Sequence, residues 1–217
     1  MPLISFEGID KCGKDTQVER VVERLKQKGL PHSVTRHPGG TEFGKKCRQM
    51  LLDSDSDICV QAEVFLFMAD AAQNYQKTIR PAVNKGWYVI CNRGIDTPMA
   101  YQGWGRDIPL YVLRTGFRYA NMNTEPSLTI LLDISPEESE RRKQQEHEYE
   151  KEFKNGDRFE SLDLSFHTKV REGYLSLARQ FPNRIEVIDA HAEPQLVTYK
   201  VFRVIEKHYP EFGLGQG

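Results

Sequence analysis

The residues that most restrict what this chain can fold into are 3–16, LISFEGIDKCGKDT. An apolar run from Leu3 to Phe6 predicts a buried strand. The chain breaks at Gly8, and from about Thr16 onward Val18, Val21, Val22 and Leu25 recur at helical spacing. Between strand and helix, Gly8-Ile9-Asp10-Lys11-Cys12-Gly13-Lys14-Asp15 matches G-x-x-x-x-G-K-[ST] at every fixed position except the last. Backbone N–H groups of such a loop, backed by a helix N-terminus, form a nest for phosphate oxygens. Lys14 adds a movable positive charge for the β- and γ-phosphates. A glycine turn carrying a surface lysine is the bland alternative, and the strand–loop–helix setting argues against it.

A chain of 217 residues with net charge −1 predicts one domain with a substantial core and no global field favouring nucleic acid. Its basic residues are dispersed, without an aromatic-interleaved stripe. Cys12, Cys47, Cys59 and Cys91 show no paired C-x-x-C spacing, which disfavours zinc and fits reduced thiols in a cytoplasmic protein. No apolar run approaches the roughly 20 residues of a membrane span, and no leader pattern precedes the first strand. The expectation is a soluble intracellular protein with neither a membrane nor a nucleic-acid partner.

Periodicity and turn signals predict strands at 32–35, 87–91, 128–133 and 185–188 besides the first. Helices are expected at 43–52, 61–83, 110–120, from Pro136 after an N-capping Ser135, and at 162–179 and 193–208. Strands alternating with helices imply a parallel sheet covered on both faces. The densely charged run 137–157 reads as a solvated face or mobile loop, with a mobile lid at about 143–160. Ligands in such sheets sit beyond the carboxyl ends of the strands. Those ends carry residues 10–15, Arg36-His37-Pro38 and Asn92-Arg93.

Taken together, these blocks resemble the thymidylate kinase family, nucleoside monophosphate kinases of the P-loop class. The resemblance runs through FEGID and GK.TQ, R.PGGT, E.FLF.AD, RGID..MAYQG, P.LTILLDISPEES and DRFE, in that order. It implies a three-layer α/β P-loop NTPase fold with a five-stranded parallel sheet in the order 2-3-1-4-5. It further implies transfer of the γ-phosphoryl group of ATP to thymidine monophosphate, use of Mg2+, and a homodimer. Carried over by position, Gly8, Ile9, Asp10, Lys11, Cys12, Gly13, Lys14, Asp15 and Thr16 form the ATP cradle. Asp10 would hold the acceptor's sugar hydroxyl. Arg36, Arg48 and Arg93 would approach its phosphate, Phe67 would stack on its base, and Tyr101 and Gln102 would line that pocket. The resemblance makes Lys14, Arg93 and Arg158 catalytic, with Arg158 in a lid over ATP. Phosphoryl transfer depends mainly on positioning and charge stabilisation, which a cluster of arginines supplies.

The departures fall on the site. Asp15 replaces the hydroxyl ligand of magnesium, and Asn92 replaces an aspartate, as if one carboxylate had moved from the third strand to the loop; Asp15 and Asn92 are the expected metal neighbours. His37 stands in place of an acidic residue and Gly94 in place of an aromatic one. Ala71 stands where the family has an arginine that donates to the thymine carbonyl. A charged hydrogen bond contributes roughly 1.5–3 kcal/mol, so a different monophosphate is an alternative acceptor. A nucleotide-binding paralogue without turnover is a second alternative. A GTPase-type hydrolase is disfavoured, because Asn84-Lys85-Gly86-Trp87 lacks the aspartate of N-K-x-D. With Asp15 beside the triphosphate, ATP affinity should depend steeply on magnesium. Calorimetric titration with and without chelator checks this, and equal affinity in both would refute it.

Overall fold

The computed structural model describes residues 2–53, 57–149, 158–159 and 161–213. Its centre is a parallel sheet of β1 (Leu3–Glu7), β2 (His32–Arg36), β3 (Tyr88–Asn92), β4 (Leu128–Asp133) and β5 (Ile185–Asp189), in the spatial order β2-β3-β1-β4-β5. β1, β3 and almost all of β4 are buried, as near-continuous apolar runs require when both faces of a parallel sheet are covered. Side chains alternate between the faces. Ile4, Phe6 and Ile90 join Val21 and Leu25 of α1 (Lys14–Gln27), and Val201 and Ile205 of α9 (Pro194–His208), in one buried cluster. Leu3, Val89 and Cys91 point the other way and form a second cluster with Ala82 of α4 (Arg80–Asn84).

The register sets the working edge of the sheet. Arg36 pairs with Asn92, and Asn92 with Phe6, so the ends of β2, β3 and β1 lie level. The loops that leave those ends therefore open on the same side. After β2 the chain turns through a cis His37–Pro38 peptide into α2 (Glu42–Leu52), whose first turn is closed by Thr41 Oγ1 accepting from Gly44 N at 2.9 Å. The helix α7 (Pro136–Tyr149) begins as its sequence predicts, with Ser135 Oγ accepting from Glu138 N at 3.2 Å. Asp163 does the same for α8 (Leu164–Gln180), accepting from Phe166 N at 2.9 Å.

Two segments differ from the sequence expectation. The long helix expected over 61–83 is divided: α3 (Val60–Asn74) widens into a π-helical turn at Tyr75–Ile79 before α4 resumes. Pro81 is the physical reason. It has no N–H to donate and its ring crowds the carbonyl four residues earlier, so the ladder takes a wider register ahead of it. The second segment follows Arg93, where a short α5 (Asp96–Pro98) runs into a π-helical stretch at Met99–Gly105; α6 (Leu110–Ala120) then follows as expected. The expected lid, 143–160, lies largely outside the described residues; within it α7 continues to Tyr149, and Arg158 and Phe159 are placed.

Ile90 is fully buried at the middle of β3. Replacing it with alanine should cost about 2–5 kcal/mol of unfolding free energy, measured as a lowered urea midpoint at unchanged slope.

Candidate active site

The site begins at the loop between β1 and α1. Gly8 takes φ +135°, and a Cβ there would lie 2.4 Å from the Leu132 carbonyl oxygen, so no side chain fits. Lys11 also adopts a left-handed backbone, and Gly13 follows at φ +94°. These turns bring the first N–H groups of α1, which have no carbonyl partner inside the helix, to face the cavity. Lys14 opens that helix. Its ammonium is folded back on the loop, donating to the carbonyls of Gly8 at 3.1 Å and Ile9 at 2.8 Å, with Cys12 Sγ at 3.3 Å.

Arg93 closes the loop from the neighbouring strand. It follows β3 immediately and holds a left-handed φ of 67°, a conformation costing on the order of 1–3 kcal/mol for a residue with a side chain. Its guanidinium donates to the Gly8 carbonyl at 3.0 Å, pairs with the Asp10 carboxylate, and lies over the Tyr101 ring at 5.2 Å. Burial alone would push the Asp10 carboxyl up, but Arg93 and Lys14 outweigh it and hold it below the usual carboxylate range. Asn92 Nδ2 donates to Asp15 Oδ1 at 2.6 Å, which joins the strand end to the first turn of α1.

Beneath Arg93 lies Glu7, fully buried. It accepts from Ser5 at 2.8 Å, Gly94 N at 2.6 Å, Thr97 at 2.5 Å and Tyr174 at 3.0 Å. Burial, reinforced by the nearby charge of Asp96, raises the Glu7 carboxyl above its ordinary range. Asp96 is itself clamped by Arg184, with both contacts at 2.7 Å.

These loops enclose a cavity of about 440 Å³. Among the described residues, Lys11, Lys14, Arg36, Arg48, Arg93 and Arg142 line it against two carboxylates, Asp10 and Asp15; Gly13, Thr16, Phe67 and Tyr101 complete the expected part of the wall. Ile9 and Cys12 are buried behind the loop, where their backbone rather than their side chains shapes it. Gln102 and Arg158 take positions that the sequence does not announce. Both bind the buried carboxylate of Glu63 on α3: Gln102 Nε2 to Oε1 at 3.0 Å, and Arg158 Nη2 to Oε2 at 2.6 Å. Arg158 also donates to the Leu51 carbonyl at 3.2 Å. It is thus tied to α2 and α3 on the Phe67 side of the cavity rather than held over the loop around Lys14.

Sequence reasoning missed four contributors. Phe159 stands between Phe67 and Tyr101, with ring centroids 6.1 and 6.0 Å away, and Thr97 joins the same wall. Arg142, read only as part of a charged run, donates to the Lys11 carbonyl at 3.3 Å and the Ala190 carbonyl at 2.8 Å, bridging the loop to the end of β5. Glu63 carried a usable signal: a lone acid on an otherwise apolar stretch of helix, which burial makes costly unless cations meet it.

The donor set suits a hard, hydrated cation. Asp15 and Thr16 offer oxygen in the cavity beside Lys14, and the described residues hold no group of three or more His, Cys, Asp or Glu that could cage a metal. Magnesium characteristically takes one or two carboxylates and completes its shell with water and substrate phosphates.

Known proteins resemble this chain over most of its length. The family model described as Thymidylate kinase matches residues 6–201. A thymidylate kinase of Caldanaerobacter subterraneus subsp. tengcongensis is 40% identical over 205 residues, covering 94% of this chain and 95% of the relative. One from Carboxydothermus hydrogenoformans is 37% identical, covering 94% and 96%. The crystal structure of thymidylate kinase from Ehrlichia chaffeensis superposes with a TM-score of 0.76 at 26% identity, covering 94% and 97%.

The raised Glu7 carboxyl has a consequence for stability. The unfolded chain ionises this group near 4.5, whereas the folded chain resists doing so, so the contribution is complete below that value and is lost as pH rises through the folded one. Glu7→Gln removes the titration. Its urea midpoint relative to wild type should therefore rise with pH across that window, and a constant difference would contradict the assignment.

Proposed function

The chain belongs to the thymidylate kinase family, and we propose that it transfers the γ-phosphoryl group of ATP to thymidine monophosphate. One observation carries the reading: cations from the ends of three adjacent strands meet in one cavity that also holds an aromatic face. Lys14 comes from the β1 loop, Arg36 and Arg48 from β2 and α2, Arg93 from β3, and Phe67 from α3. A triphosphate and a monophosphate both need such charge, and an in-line transfer needs them in one enclosure.

Each group has a distinct task. The amides of the loop and the Lys14 ammonium grip the β- and γ-phosphates of ATP. Arg36 and Arg48 hold the acceptor phosphate opposite. Arg93 lies between these sets, already bonded to Gly8 and Asp10, and stabilises the charge that develops on the transferred group. Asp10 accepts the sugar hydroxyl, while Phe67 stacks on the base with Tyr101 and Phe159 as neighbouring walls. Asp15, with Asn92 bonded to it and Thr16 beside it, would hold a magnesium ion, whose chemistry there would be to neutralise phosphate charge. Arg158 and Gln102 act through Glu63, fixing α3 and with it the height of Phe67.

A homodimer fits the surface. Phe65 of α3, Tyr111 and Tyr119 of α6, and Phe43 and Met50 of α2 are exposed apolar side chains on helices packed against one another, and a second copy of this face would cover them. Among the described residues no helix is long and apolar enough to cross a membrane, and the cytoplasm, where ATP and deoxynucleotides meet, is the proposed location.

An ADP-release assay with thymidine monophosphate tests the reading. Turnover should require the acceptor; ADP formed without it would indicate hydrolysis. Arg93→Ala should lower kcat by about 10³-fold or more while the far-ultraviolet spectrum is kept, and a loss under tenfold would remove Arg93 from the transfer step.

A further inference from the structure

Arg93 is held by more than the loop it covers. Its Nη1 donates to the Gly8 carbonyl at 3.0 Å and has the Tyr174 hydroxyl at 3.4 Å. Its Nη2 pairs with Asp10 and has the Tyr101 hydroxyl at 3.4 Å. Each of these nitrogens carries two hydrogens, so each meets one group of the loop and one tyrosine oxygen. Tyr101 belongs to the wall of the main cavity. Tyr174 comes from α8 behind it, 2% exposed, with its ring edge-on to Tyr101 at a centroid distance of 6.3 Å.

The Tyr174 hydroxyl is itself anchored. It lies 3.0 Å from Glu7 Oε2 and 2.9 Å from Thr97 Oγ1, and Thr97 gives its own hydrogen to Glu7 at 2.5 Å. Burial pushes the Tyr174 phenol well above its ordinary range, so it keeps its hydrogen. A phenol oxygen has one hydrogen to give and can also accept, whereas a guanidinium can only donate. Whichever of Glu7 and Thr97 takes the Tyr174 hydrogen, the same oxygen can still accept from Arg93. The bond to Arg93 therefore does not depend on the proton count of Glu7.

We infer that Tyr174 is a positioning residue for the transfer, its hydroxyl relaying the fixed geometry of Glu7 and Thr97 to the Arg93 guanidinium. The inference rests on the kinase reading given above, in which Arg93 stabilises charge on the transferred group. A guanidinium sits at the end of several rotatable bonds, so the partners of its tip decide where its charge lies. Gly8 and Asp10 hold that tip from the loop; Tyr174 holds it from α8. Displacement of a reacting or stabilising group by about 1 Å can cost on the order of 10²-fold in rate. Loss of one long contact among several should cost less than that.

The test is a double-mutant cycle, followed by ADP release with ATP and thymidine monophosphate. Tyr174→Phe removes the oxygen and keeps the ring. It should lower kcat about tenfold with KM for both substrates within about twofold, the pattern of an interaction that counts in the transition state. In an Arg93→Ala background, assayed at raised enzyme concentration, the same substitution should lower kcat by less than about twofold, because its effect passes through a group already gone. Ser5→Ala is the control for a merely structural loss. Ser5 donates to the other Glu7 oxygen, Oε1, at 2.8 Å, so its removal takes a donor from the same carboxyl on the β1 side; kcat should stay within about twofold. A kcat unchanged by Tyr174→Phe, a change confined to KM, a loss that persists without Arg93, or an equal loss in Ser5→Ala overturns the positioning role and leaves the kinase reading standing. Absence of acceptor-dependent turnover by the unsubstituted chain overturns both.

Discussion

The contact on which the site depends is the guanidinium of Arg93 between the Gly8 carbonyl and the Asp10 carboxylate. It binds the end of β3 to the turn after β1, two elements that the sheet register alone brings level. It also explains why a residue with a side chain is kept in a left-handed backbone: from that conformation the group reaches back over the loop. The carbonyl and the carboxylate compensate the strain. Removing either partner would leave a mostly buried cation beside Tyr101 with one fewer acceptor.

The layer under this contact is ionic rather than apolar. Glu7 and Asp96 are buried together and the partly buried Arg184 clamps Asp96, with Thr97, Thr129 and Tyr174 completing their hydrogen bonds. Apolar residues of equal volume would pack such a layer with less desolvation penalty. What the charged layer adds is direction. Gly94 N and Thr97 are fixed by Glu7, so the chain leaving β3 follows one path, and the π-helical stretch that carries Tyr101 begins at a defined height.

Much of this was legible in the residues. The strands announced themselves as apolar runs, the phosphate loop by its glycines and lysine, and the start of α7 by Ser135 followed by Pro136. What escaped has physical causes. The widening before Pro81 arises from a backbone clash that apolar periodicity does not register, because Val64, Phe67 and Ala71 keep their spacing on either reading. Phe159 and Glu63 meet the site only through the fold, from distant parts of the chain. Arg142 looked like one charge among many, since nothing in a charged run tells which member turns inward to a carbonyl. His37 was visible as a departure; that its Nε2 is buried without a partner among the described residues was not.

Consider finally the lysine of the loop, lying down on the very carbonyls that surround it. The ammonium donates to Gly8 and Ile9, so the backbone of the turn itself sets where that charge lies. A substitution that reshaped the turn would displace the lysine's charge and the helix amides together, as one unit.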